Sequence, residues 1–196
     1  MILYYCQEEK HKNKEGERLI GRALNDYLKI GNPQPIDEKV QMDIADTVIL
    51  RGHKGKPFFK EYNVEFSVSH TEQLWVCLMA DYPVGVDVQK RRTVNRHAVA
   101  KRFFTKLEQE YIHEFGEIGF FDVWCRKEAY VKYTGKGFAD QGFSTFSVVD
   151  EQLKLTEHID GIWVHSLDFS KESAIGTQIA GAFCTQKKEE LWIKRL

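Results

Sequence analysis

The sequence predicts an α+β protein, in which strands and helices form successive groups instead of alternating. Three apolar or alternating runs joined by short turns, at residues 65–70, 74–80 and 84–88, predict an antiparallel meander. Helical patterns follow between residues 98 and 134, and further strand patterns come after them. Neither a GxGxxG run after a strand nor a GxxxxGK[ST] loop is present, so the common βαβ nucleotide folds are not indicated.

The composition is typical of a soluble globular protein and excludes several classes of function. The 196 residues carry a net charge of -1, which argues against wholesale binding of nucleic acid or of an anionic membrane. The four cysteines form no CxxC pair, so we expect buried free thiols in a reducing compartment and no zinc site. The N-terminus lacks the pattern of a signal peptide, and no apolar run approaches the ~18 residues of a membrane span. We therefore expect a cytoplasmic location.

The first 57 residues predict a strand, a helix and a turn. Ile2–Cys6 is short and apolar, and residues 17–30 repeat apolar side chains at helical spacing until Gly31. Residues 44–50 fit either a strand or the end of a helix. Gly55, Lys56 and Pro57 form a turn, which as a lone tripeptide is weak evidence of function.

Two strands of the meander place polar residues opposite an apolar face. In the first, Ser67 and Ser69 alternate with Phe66, Val68 and His70. In the third, three valines are expected to face the core, while the residues between them face the other way; these are Gly85, Asp87 and Gln89.

The second half predicts helices and then strands. Residues 98–104 have a helical pattern, and Thr105 with Glu108 has the spacing of a capping box that starts a helix up to about residue 115. Gly116 and Gly119 are expected to break that helix, and residues 120–134 form the clearest helix of the chain, closed by glycine. Strands are predicted at residues 143–149, 153–156, 161–168 and 178–185, the last of them central, with the tail at a sheet edge.

Residues 90–102 are the one locally basic stretch. They fit a solvated helix face, and they also fit a surface that docks an acidic partner or phosphates.

The candidate catalytic and metal-binding residues lie on one predicted strand and one predicted helix. Glu128 sits on the apolar side of its helix with Lys132 one turn later, which fits an exposed ion pair or a partly buried carboxylate that needs a partner or a metal. Asp87 interrupts a valine-rich strand on the face shared with Gln89. Two carboxylates and an amide oxygen suit Mg²⁺, which also takes water and substrate phosphates as ligands. The residues therefore indicate phosphoryl-group transfer.

Taken together, these motifs resemble those of the 4'-phosphopantetheinyl transferases. The resemblance is to the long, two-lobed type of the holo-acyl-carrier-protein synthase superfamily, which activates nonribosomal peptide synthetases such as surfactin synthetase and other carrier-protein systems. It rests on GKP at residues 55–57, SVSH at 67–70, VGVDV at 84–88 and WCRKEAYVKYTGKG at 124–137. AKRFFTKLE at 100–108, between the last two, also resembles the family. Four motifs in the same order make a specific match, whereas the first 50 residues match loosely and the last 55 only in character.

The resemblance implies a fold and a reaction. The expected fold has two lobes related by a pseudo-twofold axis, residues 1–98 and 99–196, each a small antiparallel sheet packed on a helix, with the active site in the cleft between them. The expected reaction is the Mg²⁺-dependent transfer of the phosphopantetheine arm from coenzyme A to a serine of an apo acyl or peptidyl carrier protein. Adenosine 3',5'-bisphosphate is the by-product. The long type is usually a monomer, and its partner is an acidic helical carrier domain.

The resemblance also assigns catalytic and metal-binding roles. Asp87 and Glu128 match the acidic metal-binding positions, and Glu128 also matches the residue proposed to deprotonate the carrier serine. Lys132 matches a lysine that contacts the pyrophosphate and assists the leaving group. Gln89 stands where the long type commonly has Glu, so the resemblance predicts a third metal ligand without a charge and a higher Mg²⁺ requirement.

Further positions match residues that bind coenzyme A. Ser69 and His70 match the segment that holds the 3'-phosphoadenosine, and Lys56 with Pro57 matches a turn that touches adenine. Arg18 is a weaker match to an arginine that binds the 3'-phosphate. Two alternatives stay open: a non-catalytic relative that binds coenzyme A or a carrier, and an unrelated phosphoryl-transfer enzyme with similar acids.

Overall fold

The computed structural model describes residues 1–7, 13–31, 48–137, 142–172, 175 and 178–196, and it confirms the α+β class. In chain order the strands are β1 (Ile2–Cys6), β2 (Ile49–Arg51), β3 (Pro57–Phe59), β4 (Glu65–His70), β5 (Trp75–Ala80), β6 (Val84–Lys90), β7 (His158–Ile159), β8 (Ile162–Ser166), β9 (Ile179–Thr185) and β10 (Trp192–Arg195). The helices are α1 (Asn13–Gly31), α2 (Arg96–Phe103) and α3 (Lys106–Thr134).

The first four-stranded sheet has the order β10-β1-β5-β4 and packs against α1. Its pairs are antiparallel except for β10, which lies parallel to β1 at the edge. Leu19, Ala23 and Leu24 of α1 are fully or almost fully buried in the same apolar cluster as Tyr4 and Trp75 of the sheet. The helical spacing of these residues thus explains why α1 covers this face.

The second four-stranded sheet has the order β6-β9-β8-β7, and β9 is central in it as predicted. Helix α3 lies across this sheet, where Cys125 and Ala129 share an apolar cluster with Ala182 and Cys184 of β9. Strands β2 and β3 form a separate hairpin. All four cysteines are buried as predicted, and none of them forms a disulfide with another.

Strand β6 does not continue the predicted meander. It pairs with β9 over its whole length, from Val84–Thr185 to Lys90–Ile179. On its other side, the amides of Val86 and Val88 donate to serine hydroxyls of β4 instead of to a backbone ladder. Side-chain oxygens therefore satisfy the backbone groups where the two sheets meet.

The prediction of strands at residues 143–149 and 153–156 is wrong. A 3₁₀ turn (Phe143–Thr145) and a single bridge between Val149 and Leu155 stand in their place. The carbonyls of Phe143 and Phe146 accept from the Lys127 ammonium, and the Val148 amide donates to Glu108. The backbone here binds a buried ion pair, so its groups are not available to a neighbouring strand.

Helix α3 confirms the capping box and corrects one of the two predicted breaks. Thr105 and Glu108 make both capping hydrogen bonds. The helix is interrupted only at Gly116, with φ 63° and ψ -132°, whereas Gly119 is helical. Gly135 ends the helix in the left-handed conformation, at φ 66°.

Each four-stranded sheet contains strands from both sides of the boundary predicted near residue 98, because β10 joins β1 and β6 joins β9. The division into lobes 1–98 and 99–196 stays a prediction. Within the described parts of the chain, no helix is both long and apolar enough to span a membrane.

Candidate functional site

Gly85 sets the distance between β6 and the C-terminal half of α3. A Cβ atom on this residue would lie 2.1 Å from the carbonyl oxygen of Ala129 and 2.5 Å from the amide nitrogen of Tyr133. Only glycine therefore lets the backbones of strand and helix approach this closely. The contact brings Asp87, two residues along β6 on the same face, within reach of side chains from α3.

The Asp87 carboxylate is buried and accepts hydrogen bonds from three residues. Oδ1 accepts from the Ser69 hydroxyl at 2.8 Å and from the Lys132 ammonium at 2.7 Å, and Oδ2 accepts from the Gln89 amide at 2.9 Å. Asp87 is 2% exposed, so its charge depends on these donors for stabilisation. Strand β4, strand β6 and helix α3 thus meet at one carboxylate.

Glu128 lies one helical turn before Lys132 and is half-buried. Burial raises the pKa of the Glu128 carboxyl, the Asp87 charge raises it further, and Lys132 opposes both. The two carboxyl groups therefore lie within electrostatic range of each other. Among the residues that the structure describes, none donates a hydrogen bond to Glu128 or forms an ion pair with it, so its oxygens are available to a ligand.

A cavity of about 650 Å³ opens next to this group. Its cationic side chains are Arg51, Lys54, Lys56 and Lys132, with His70 nearby on β4 and Glu17 of α1 as an acidic member of the lining. The remaining lining residues are Gly16, Ile20, Ile49, Gly55, Pro57, Phe66, Ser67, Val68, Trp75, Val131, Gly135 and Gly137. A mixed apolar and cationic lining suits a nucleotide that carries phosphates.

Lys56 forms hydrogen bonds to two of the elements around the cavity. Its ammonium donates to the carbonyls of Val84 at 3.3 Å and Tyr133 at 3.1 Å, and it lies 3.9 Å from the Glu65 carboxylate. Burial lowers the Lys56 pKa, and Glu65 opposes this shift. Lys56 therefore links the start of β6 to the end of α3 as well as lining the cavity.

The predicted binding residues are distributed between the cavity and its surroundings. Lys56, Pro57, His70 and Lys132 line the cavity. Ser69 does not: its side chain is buried against β6, and its hydroxyl donates to Asp87.

Arg18 is likewise absent from the cavity lining. It is exposed and lies 3.8 Å from Glu15 on the same helix, whereas the neighbouring Gly16 and Glu17 line the cavity.

The oxygen donors that could hold a divalent cation are the carboxylates of Asp87 and Glu128. Gln89 also lies at this place, but its amide group donates to Asp87 Oδ2. No cluster of three or more His, Cys, Asp and Glu side chains that could hold a metal is found within the described ranges. A cation here would thus use protein carboxylates from two elements and take its other ligands from substrate and water, as Mg²⁺ commonly does.

Sequence reasoning missed two kinds of residue. Arg51 and Lys54 line the cavity, and the repeated basic residues around the GKP turn were the available signal. Arg126 and Lys127, next to Glu128 in the sequence, are buried and structural. Lys127 pairs with Glu108 at 2.8 Å with both side chains fully buried, and Arg126 donates to the backbone carbonyls of Thr156 and Val164.

Comparisons with known proteins indicate the family of this chain. The family model of the 4'-phosphopantetheinyl transferase superfamily matches residues 83–184, which include β6, α3 and all but the last residue of β9. The 4'-phosphopantetheinyl transferase psf-1 of Bacillus pumilus is 32% identical over 172 residues, covering 82% of this chain and 70% of that protein.

Two further relatives match a shorter stretch. The 4'-phosphopantetheinyl transferase gsp of Aneurinibacillus migulanus is 26% identical over 141 residues, covering 69% of this chain and 53% of its own length. The 4'-phosphopantetheinyl transferase Sfp of Bacillus subtilis (strain 168) is 25% identical over 141 residues, covering 69% of this chain and 57% of that protein. The chain thus spans little more than half the length of these two relatives.

Proposed function

This chain belongs to the 4'-phosphopantetheinyl transferase superfamily, and on that premise we propose that it transfers the phosphopantetheine arm of coenzyme A to a serine of an apo carrier protein. The observation that carries the proposal is that the acidic pair of Asp87 and Glu128 adjoins the cationic cavity through Lys132, although neither carboxylate lines the cavity itself. Lys132 belongs to both parts, because it donates to Asp87 and lines the cavity.

The cavity is the proposed coenzyme A site. Arg51, Lys54 and Lys132 would offset the charge of the phosphates, and the apolar lining would contact the adenine and the start of the pantetheine arm. His70 at the end of β4 would donate to a phosphate.

The residues at the site fit Mg²⁺. Asp87 and Glu128 would hold the ion, and Gln89 would contribute its amide oxygen or keep its present bond to Asp87. When bound, the ion would neutralise charge on the diphosphate oxygens. In this structure the Lys132 ammonium donates a hydrogen bond to Asp87 Oδ1. Because it also lines the cavity, we propose that it moves toward the diphosphate when coenzyme A binds.

The reaction forms a bond between the serine oxygen and the β-phosphorus of coenzyme A. The bond from that phosphorus to the bridging oxygen breaks, and adenosine 3',5'-bisphosphate leaves with the electron pair. Lys132 would stabilise the charge that develops on the leaving oxygen. Glu128 would accept the serine proton as the general base.

The carrier would dock on the exposed basic residues near the end of β6 and on α2. Arg92, Lys101 and Arg102 are exposed, which fits an acidic partner. Arg91 in the same stretch instead lies 3.9 Å from Asp122, so it contributes less free charge to that surface.

The test is incubation of the chain with coenzyme A, Mg²⁺ and an apo carrier protein, followed by intact mass spectrometry of the carrier. We expect a mass gain of one phosphopantetheine arm, which is absent when Asp87→Ala or Glu128→Ala replaces the wild type. Glu151→Ala, which removes an exposed carboxylate outside the cavity lining, is the matched control and should transfer normally. Binding of coenzyme A and of the carrier without any mass gain would instead favour a non-catalytic binding protein.

A further inference from the structure

Two serines of β4 bind the backbone of β6 in the same way but differ in one contact. The Ser67 hydroxyl accepts from the Val86 amide at 3.0 Å, and the Ser69 hydroxyl accepts from the Val88 amide at 3.2 Å. Ser69 alone of the two also donates to Asp87, at 2.8 Å. Ser67 therefore has only the hydrogen bond that links β4 to β6, whereas Ser69 has that bond and a second one to the Asp87 carboxylate. Comparing the two serines isolates the effect of the second bond.

Ser69 is a donor to Asp87 whose position is more strongly fixed than that of Lys132. Its side chain is short, the residue is 6% exposed, and the Val88 amide orients its oxygen. Lys132 has a long side chain that is 30% exposed and faces the cavity. A diphosphate in the cavity would compete with Asp87 for that ammonium, whereas the hydroxyl of Ser69 would remain on Oδ1.

We propose that Ser69 is a positioning residue that fixes the orientation of the Asp87 carboxylate toward the bound cation, and that it does not contact the nucleotide. This inference rests on the proposed function for its catalytic consequence and differs from the role that the resemblance gave to Ser69. Without the hydroxyl, Asp87 can rotate about its Cβ–Cγ bond while Val88 loses an acceptor. Removal of an outer partner of a metal ligand typically costs roughly 10–100-fold in metal affinity or activity.

The first test is a titration of the chain with Mn²⁺, in which free ion is measured by electron paramagnetic resonance. It is run with and without coenzyme A. We expect Ser69→Ala to weaken Mn²⁺ binding about 10-fold or more, and Ser69→Thr, which keeps the hydroxyl, to restore it. Ser67→Ala is the matched control, because it removes the same kind of bond across the seam but no bond to Asp87. Its Mn²⁺ affinity in the titration without coenzyme A should equal that of the wild type; this control uses the titration without the nucleotide, because Ser67 also lines the cavity.

The second test separates positioning from nucleotide binding. If Ser69 acts through Asp87, Ser69→Ala lowers kcat and raises the Mg²⁺ concentration for half-maximal rate, while the KM for coenzyme A stays the same. A higher KM for coenzyme A with an unchanged Mg²⁺ requirement would show a direct nucleotide contact and overturn the inference. Equal Mn²⁺ affinities of Ser69→Ala and the wild type, including no binding by either, would also overturn it. A wild type that binds Mn²⁺ but transfers nothing would remove the proposed function and leave the Mn²⁺ comparison decisive for Ser69.

Discussion

Gln89→Glu is expected to change protein stability and metal binding in opposite directions. The Gln89 amide donates to Asp87 Oδ2 at 2.9 Å in this structure. A glutamate would remove the donor and bring a second negative charge to the same carboxylate. It would also supply the acidic ligand that the long transferases commonly have at this position.

The expected cost to the metal-free protein follows from these contacts. A lost hydrogen bond to a charged group is worth about 1.5–3 kcal/mol. Two like charges about 4 Å apart repel by about 4 kcal/mol at an effective dielectric constant of about 20. Position 89 is only half-buried and Lys132 remains on Oδ1, so solvent and the ammonium reduce the sum. We expect a net loss of about 3 kcal/mol in the free energy of unfolding, or roughly 6–12 °C in the melting temperature.

The assay measures melting temperature against Mg²⁺ concentration, with the rate of carrier modification measured over the same series. The variant should melt lower than the wild type without Mg²⁺ and gain more from adding it. Because a second carboxylate attracts the ion, its half-saturating Mg²⁺ concentration should fall about tenfold, which corresponds to about 1.4 kcal/mol.

Gln109→Glu is the control for the same exchange of an amide donor for a carboxylate at another site. The Gln109 amide donates to the Phe104 carbonyl at 3.0 Å, away from Asp87. This variant should lose stability without any change in its response to Mg²⁺. The reasoning would be refuted if Gln89→Glu left both the metal-free stability and the Mg²⁺ requirement unchanged.

Three further substitutions test other parts of the structure. Glu128→Gln should abolish transfer yet raise the stability of the metal-free protein near pH 7. Because the Glu128 pKa is raised in the folded protein, the wild type loses stability as the pH rises through that pKa, and the Gln variant does not. The stability difference between the two proteins should therefore vanish below about pH 4, under the pKa of an unfolded glutamate. Gly85→Ala should cost about 3 kcal/mol in unfolding free energy, because its Cβ would lie 2.1 Å from the Ala129 carbonyl oxygen. Lys127→Ala should cost about 3–5 kcal/mol, because it leaves the Glu108 carboxylate buried without its ammonium partner.

Chemical denaturation measures the stability of Gly85→Ala and Lys127→Ala, and thermal unfolding across pH measures that of Glu128→Gln. Gly52→Ala is a control for Gly85→Ala, because the nearest atom to its added Cβ is 3.6 Å away. A Gly85→Ala protein as stable as Gly52→Ala would mean that the strand and helix do not touch there. A Lys127→Ala protein of wild-type stability would contradict the buried pair, and a stability gain from Glu128→Gln that persisted at pH 3 would contradict the cause given for its pKa.

Local patterns were sufficient to predict the faces of β6 and α3. Alternation along residues 84–88 separates Asp87 from the buried valines, and helical spacing puts Glu128 and Lys132 on one side of α3. These periodicities follow from backbone geometry alone. The main candidate residues were therefore predictable before their contacts were known.

The partners of these elements were not predictable in the same way. Strand β6 was expected to pair with β5, its neighbour in the sequence, but it pairs with β9, nearly a hundred residues later. Apolar patterning shows that a strand is buried and does not show which strand it joins. The buried Lys127–Glu108 pair was missed for a related reason, because a charged residue on a helix is usually solvated.

The most direct test of a shared cation site is the ³¹P NMR linewidth of coenzyme A bound to the chain with substoichiometric Mn²⁺. If Asp87 and Glu128 hold one ion beneath the diphosphate, the wild type should broaden the diphosphate resonances well beyond the broadening seen with coenzyme A and Mn²⁺ alone. The Asp87→Ala, Glu128→Ala double variant should lose this extra broadening. Equal broadening by the wild type and the double variant would contradict a cation site built from these two carboxylates.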